Sequence, residues 1–147
     1  MKLMRLEKSD MKHKTVFDVN IWLRYFISRK AEKIVDMIEN NHVLLYRSVE
    51  LLAELKEVIN RPKFAKYFPE GTNEYVWFVE QVADLVYTQA IFDYCQDPKD
   101  NYLFDLAYQS ASNFLVSDDK IVIATPVRQT LKVLSLYDFK EEIGITE

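Results

Sequence analysis

Four carboxylates stand at the borders of structural elements along this chain. They are Asp18 in Val16-Phe17-Asp18-Val19-Asn20, Glu54 in the stretch that starts at Ser48, Asp100 in Asp97-Pro98-Lys99-Asp100-Asn101, and Asp119 in Ser117-Asp118-Asp119-Lys120. Acids drawn from distant parts of a chain into one pocket repel one another unless protons or hard cations compensate them, and Mg²⁺ or Mn²⁺ is the usual partner. Each acid alone also reads as a helix cap or a solvated surface group. Taken together, two acids that follow apolar runs, one at a helix start on a buried face and one at the edge of a helical stripe are poorly explained by capping.

The elements that position them follow from hydrophobic periodicity. Thr15 to Phe17, Val43 to Tyr46, Asn113 to Val116 and Val133 to Leu136 are apolar runs of strand length, and stretches with helical spacing separate most of them. This alternation predicts an α/β fold with a parallel sheet. Helices are expected over about 20–28, 30–40, 48–60, 73–88 and 100–111, with a short one near 137–142. Asp18 and Asp119 then lie just past the carboxyl ends of strands, the edge where open α/β sheets place ligands. Asn20 is expected to cap a helix that begins at Ile21.

Glu54 falls at the border of the stripe formed by Leu51, Leu52, Leu55, Val58 and Ile59, while Glu50 and Glu57 turn further toward solvent. On the following candidate helix, Asp100 projects near the middle of the face formed by Leu103, Phe104, Ala107 and Ala111, and Asp105 points well away. An unpaired charge on that face would be costly. Asp97 can cap, with Pro98 at the first helical position and Asp100 in the first turn, where the helix dipole favours an anion.

At 147 residues, 49% of them hydrophobic, the chain suits one domain with a real core. Residues 1–13 read as an N-terminal extension, with disorder an option for it, and 14–147 as the domain. No uninterrupted apolar run is long enough to cross a bilayer, and no export signal is seen, so the cytoplasm fits best. A lone cysteine, Cys95, excludes an internal disulfide and reads as a packed thiol; with only His13 and His42 beside it, a structural zinc site is disfavoured. Two glycines, Gly71 and Gly144, cannot build a Walker phosphate loop. With 23 acidic and 19 basic side chains there is no global pull toward nucleic acid. Basic clusters at Arg24, Arg29, Lys30 and Lys33, and at Arg61, Lys63 and Lys66, read first as solvated helix faces. Trp22, Phe26, Tyr75, Trp77 and Phe78 read as core or interface before base-stacking groups.

The motifs in this order resemble the PIN domain family, metal-dependent ribonucleases of which many bacterial and archaeal members are toxins of toxin-antitoxin pairs. The resemblance runs from about Lys14 to Phe139. The family's strand followed by Asp-Thr-Asn appears as Phe17-Asp18-Val19-Asn20, its Ser and Glu helix as Ser48 with Glu54 followed by Arg61-Pro62-Lys63-Phe64, and its central acid as Asp100 with Ala107 seven residues on. The closing Thr/Ser-Gly-Asp-Lys appears as Ser117-Asp118-Asp119-Lys120, with the glycine replaced. The fourth acid therefore maps to Asp119, with Asp118 as its rival.

The resemblance implies a PIN-like three-layer α/β/α fold with a mainly parallel sheet of about four to five strands. It implies one or two Mg²⁺ or Mn²⁺ ions held by Asp18, Asp100 and Asp119, with Glu54 binding directly or through water. Asn20, Ser117 and Lys120 are expected to orient ligands or contact the RNA backbone. Hydrolysis of RNA phosphodiester bonds is the implied reaction, and a protein antitoxin and a homodimer are the implied partners. A non-catalytic scaffold that binds RNA or protein is the alternative; a phosphoacceptor domain is a third reading, for which the expected early acidic pair and late lysine do not appear cleanly.

Overall fold

The computed structural model describes residues 12–145. Most of the expected N-terminal extension lies outside the described residues, and His13 already opens the first strand. The elements run β1 (His13–Phe17), α1 (Val19–Ile27), α2 (Ala31–Asn40), β2 (Val43–Arg47), α3 (Val49–Ile59), a 3-10 turn (Pro62–Tyr67), α4 (Asn73–Val82) and β3 (Ala83–Leu85). A second 3-10 turn (Pro98–Asp100) then leads into α5 (Asn101–Gln109), β4 (Phe114–Val116), α6 (Lys120–Ile123), β5 (Lys132–Leu134) and α7 (Leu136–Ile143).

The five strands form one all-parallel sheet in the order β3-β2-β1-β4-β5. Thr15, Val16 and Phe17 are all buried, as are Phe114, Leu115 and Val116. Successive strand residues point to opposite faces, so helices must cover both. On one face Phe17 meets Trp22 of α1 and Phe139 of α7 edge-on, and Phe114 meets Phe139. On the other, α5 packs on β1 and β4 through buried Leu103, Phe104 and Ala107. The chain leaves β1 toward β2 and β3, then returns to lay β4 on the opposite side of β1. The topological switch therefore lies between β1 and β4, where such sheets open a crevice at their carboxyl edge.

Three expectations are corrected. The helix expected over 73–88 ends at Val82, and Ala83–Leu85 is an edge strand whose register is Leu45 to Ala83 and Arg47 to Leu85. The first helix starts at Val19 and its cap is Asp18, whose Oδ1 accepts the Val19 N–H at 2.6 Å, so Asn20 is not the cap. Asp105, expected to point away from the core, is 6% exposed. Residues 86–97, which carry no helix or strand, fold back over that side of α5, and Asp105 Oδ1 accepts the backbone N–H groups of Ile91 and Phe92 at 2.9 and 2.8 Å.

Trp22 and Phe26 lie in the core, with Tyr75 and Phe78 packed on Phe26, whereas Trp77 is 60% exposed. Cys95 is a buried free thiol, accepting a hydrogen bond from Thr125 at 3.5 Å. No helix among the described residues is long and apolar enough to cross a membrane.

Candidate active site

The site is built where β1 and β4 end side by side. The Asp18 backbone extends the ladder by donating its N–H to Val116 O at 2.9 Å, which brings the two carboxyl-edge loops together. Asp18 is buried, and its Oδ2 accepts from Ser117 Oγ at 2.7 Å and from Asn20 Nδ2 at 3.3 Å. Ser117 Oγ in turn accepts the Asp119 N–H at 3.0 Å, and Asn20 Oδ1 accepts the Asp118 N–H at 3.3 Å. Asp18, Asn20, Ser117 and the loop to Asp119 thus form one hydrogen-bonded unit across nearly a hundred residues of sequence.

Asp119 caps the short helix α6, its Oδ1 accepting from Ile121 N at 2.9 Å. Lys120, the first residue of that helix, is exposed. Glu54 lies half-buried in the middle of α3, a helix capped by Ser48 through the Leu51 N–H. Asp100 lies half-buried at the junction of the 3-10 turn and α5. As expected from sequence, Asp97 accepts from Lys99 N at 3.3 Å and Pro98 opens the turn.

Electrostatics tie the four acids together. The Asp100 carboxyl is pushed up to about 6, first by burial and then by the charges of Asp18, Asp97 and Asp119, with Lys99 opposing. Burial also raises Asp18, against the hydrogen bonds from Ser117 and Val19, and Asp119 and Glu54 add to the rise. Asp18 and Asp100, both raised, thus feel the charges of Asp119 and, for Asp18, of Glu54, which links acids from four separate stretches of the chain.

The sequence reading missed two participants. Tyr102 is half-buried, and its hydroxyl is held well above its ordinary value by burial and by the fields of Asp18, Glu54 and Asp100. Its only signal in the sequence was its place two residues after Asp100. The second is an ion pair between Arg24 Nη1 and Asp118 Oδ2 at 2.8 Å. The other Asp118 oxygen accepts the Leu136 N–H at 3.3 Å, so this carboxylate is engaged by α1 and α7. Asp119, by contrast, contributes its charge to both Asp18 and Asp100.

The donors are hard oxygen ligands whose mutual repulsion a divalent cation would relieve, so their chemistry fits Mg²⁺ or Mn²⁺. Among the described residues, no three His, Cys, Asp or Glu side chains are arranged as a ready-made ligand group. A cation that keeps several waters and takes one or two carboxylates does not require such a group.

A family model described as a PIN domain matches residues 14–121, a span that includes all four acids. The uncharacterized protein MJ1680 of Methanocaldococcus jannaschii is 23% identical over 137 residues, covering 90% of this chain and 87% of that protein. PIN domains are in general nucleases that use divalent metal ions. A parallel sheet with acids at its switch point, matched by that model over most of its length, places the chain in the PIN domain family.

Proposed function

We propose that the protein is a Mg²⁺- or Mn²⁺-dependent endoribonuclease, acting as the toxin of a prokaryotic toxin-antitoxin pair. The observation that carries the nuclease reading is the hydrogen-bonded unit that joins Asp18, Asn20, Ser117 and the Asp119 loop where β1 and β4 end, with the charges of Glu54 and Asp119 acting on Asp18 and those of Asp18 and Asp119 on Asp100. Asp18, Asp100 and Asp119 would hold the cation, with Glu54 binding directly or through water. When bound, it supplies water activation near neutral pH and compensates negative charge on the phosphate. Asp18 is held in one orientation by Ser117, Asn20 and the Val19 N–H, so little reorganisation is left for the bound state. Lys120, exposed beside Asp119, is available to the RNA backbone.

Exposed Trp77, Tyr87, Ile91 and Tyr94 are side chains that an antitoxin or a second copy of the chain would cover. Incubating the purified protein with mixed RNA tests the chemistry. Cleavage with Mn²⁺, abolished by chelator and by Asp100→Asn, is the expected result. Intact RNA in the presence of folded protein and Mn²⁺ would instead favour a non-catalytic binding scaffold. Growth arrest on induction of the wild type, absent with Asp100→Asn, tests the toxin role separately.

A further inference from the structure

Arg24 lies one turn beyond Asn20 on the same face of α1, and both reach the loop of Ser117 and Asp118. Its side chain is 60% exposed, and among the described residues its guanidinium makes one hydrogen bond, to Asp118. Exposed ion pairs of this kind contribute little to stability, so holding the fold together is a poor explanation for it. Its surroundings suggest another. A polyanion that approaches four clustered acids needs compensating positive charge at the lip of the site. Of the nearby cations, Lys99 and Lys120 are point charges, and the Arg61 fork already holds Glu57 through two hydrogen bonds, at 3.2 and 2.6 Å. Arg24, tied to the Asp118 loop, offers a guanidinium with most of its donors unused, in the geometry that matches phosphate.

We propose that Arg24 binds a backbone phosphate of the RNA strand beside the acid cluster, and that Asp118 occupies the guanidinium in the free protein in place of that phosphate. The inference rests on the nuclease reading of the site. It gives a purpose to the carboxylate that replaces the glycine of the closing motif: Asp118 keeps Arg24 at the lip and lowers its affinity for competing anions. Binding exchanges one carboxylate partner for one phosphate.

The test measures binding of a short fluorescein-labelled single-stranded RNA by anisotropy, over a salt series, with every protein in an Asp100→Asn background. Arg24→Ala is expected to weaken binding about tenfold and to reduce the slope of log affinity against log salt by about one, with Arg24→Lys intermediate. Asp118→Asn removes the competitor and is expected to tighten binding by about two- to threefold. Equal weakening by Arg24→Ala and Asp118→Asn would show that the pair acts only by shaping the loop, and would overturn the proposal. So would an Arg24→Ala protein with unchanged affinity and salt slope. Unfolding temperatures close to that of the parent are expected for all variants, since the pair is exposed. Cleavage by protein with Asp100 intact is scored apart: uncut RNA with Mn²⁺ would sink the nuclease reading, whatever the Arg24 result.

Discussion

Asp100, proposed above as a ligand of the cation, opposes the stability of the fold that holds it. Its carboxyl is raised to about 6 by burial and by neighbouring acids, so the folded protein binds this proton more tightly than the unfolded chain does. The stabilising effect is complete below the unfolded value near 4 and is lost as pH rises through about 6, leaving a penalty at neutral pH. Full conversion of the shift would give about 3 kcal/mol, but Asp100 is only half-buried and solvent screening reduces this to about 1 kcal/mol. Asp100→Asn is therefore expected to raise the unfolding temperature at neutral pH by about 3 °C in metal-free buffer. The same variant is expected to lose about a hundredfold or more of any cleavage activity. A thermal melt of both proteins beside an RNA cleavage assay checks the pair of effects, and a variant both inactive and less stable would show that Asp100 serves the fold instead. Wild-type activity is expected to fall as pH drops through about 6, because protonated Asp100 no longer competes for a cation.

At the scale of elements, the legible parts were those whose pattern is local. The apolar runs that became β1, β2, β4 and β5, the helix starts at Ser48 and Asp97, and the place of Asp18 and Asp119 beyond strand ends all follow from short stretches of sequence. Edge strand β3 did not, because its three residues continue a helical pattern and only pairing with β2 makes them a strand. The burial of Asp105 was equally hidden, since residues 86–97 come to cover α5 only in the fold. Three side chains four residues apart on α5 hold that segment: Asn101 accepts from Cys95 N at 3.0 Å, Asp105 from Ile91 and Phe92, and Gln109 exchanges hydrogen bonds with Gln89 at 2.8 and 2.7 Å. Asp105→Ala strands two backbone donors and is expected to cost about 2 kcal/mol, read as a lower urea midpoint together with faster proteolysis within 86–97. The far end of α5 carries a correctable strain. Ala111 adopts φ 56°, closing the helix with its N–H on Tyr108 O and the Ser112 N–H on Ala107 O, a position that usually takes glycine. Ala111→Gly is expected to stabilise by about 0.5–1 kcal/mol, visible as a higher unfolding midpoint, and a lower one would show that the left-handed conformation costs this alanine nothing.

For the whole molecule, the acid site and the opposite edge of the sheet pull stability in different directions with pH. Raised Asp100 makes metal-free protein less stable as pH climbs from about 4 through about 6, and raised Asp18 acts in the same direction. His13, at the start of β1, is lowered first by burial and then by His42, so its contribution is present above about 6.5 and is lost on acidification. The two effects therefore run in opposite directions as pH changes. A divalent cation held by the proposed site would break the symmetry, because it would act only on the acids, competing with protons for the same oxygens and binding the folded state alone. Mn²⁺ is therefore expected to raise the unfolding temperature markedly at about pH 7.5 and little at about pH 5, where protons already occupy the site. With Asp100→Asn the increment at the higher pH is expected to shrink most, while a His13→Asn control retains it and loses only the acid-side fall. Calorimetric melts across pH with and without Mn²⁺ separate these terms. An increment that is equal at both pH values, or that survives Asp100→Asn unchanged, would mean that the cation binds elsewhere and that the four acids do not form its site.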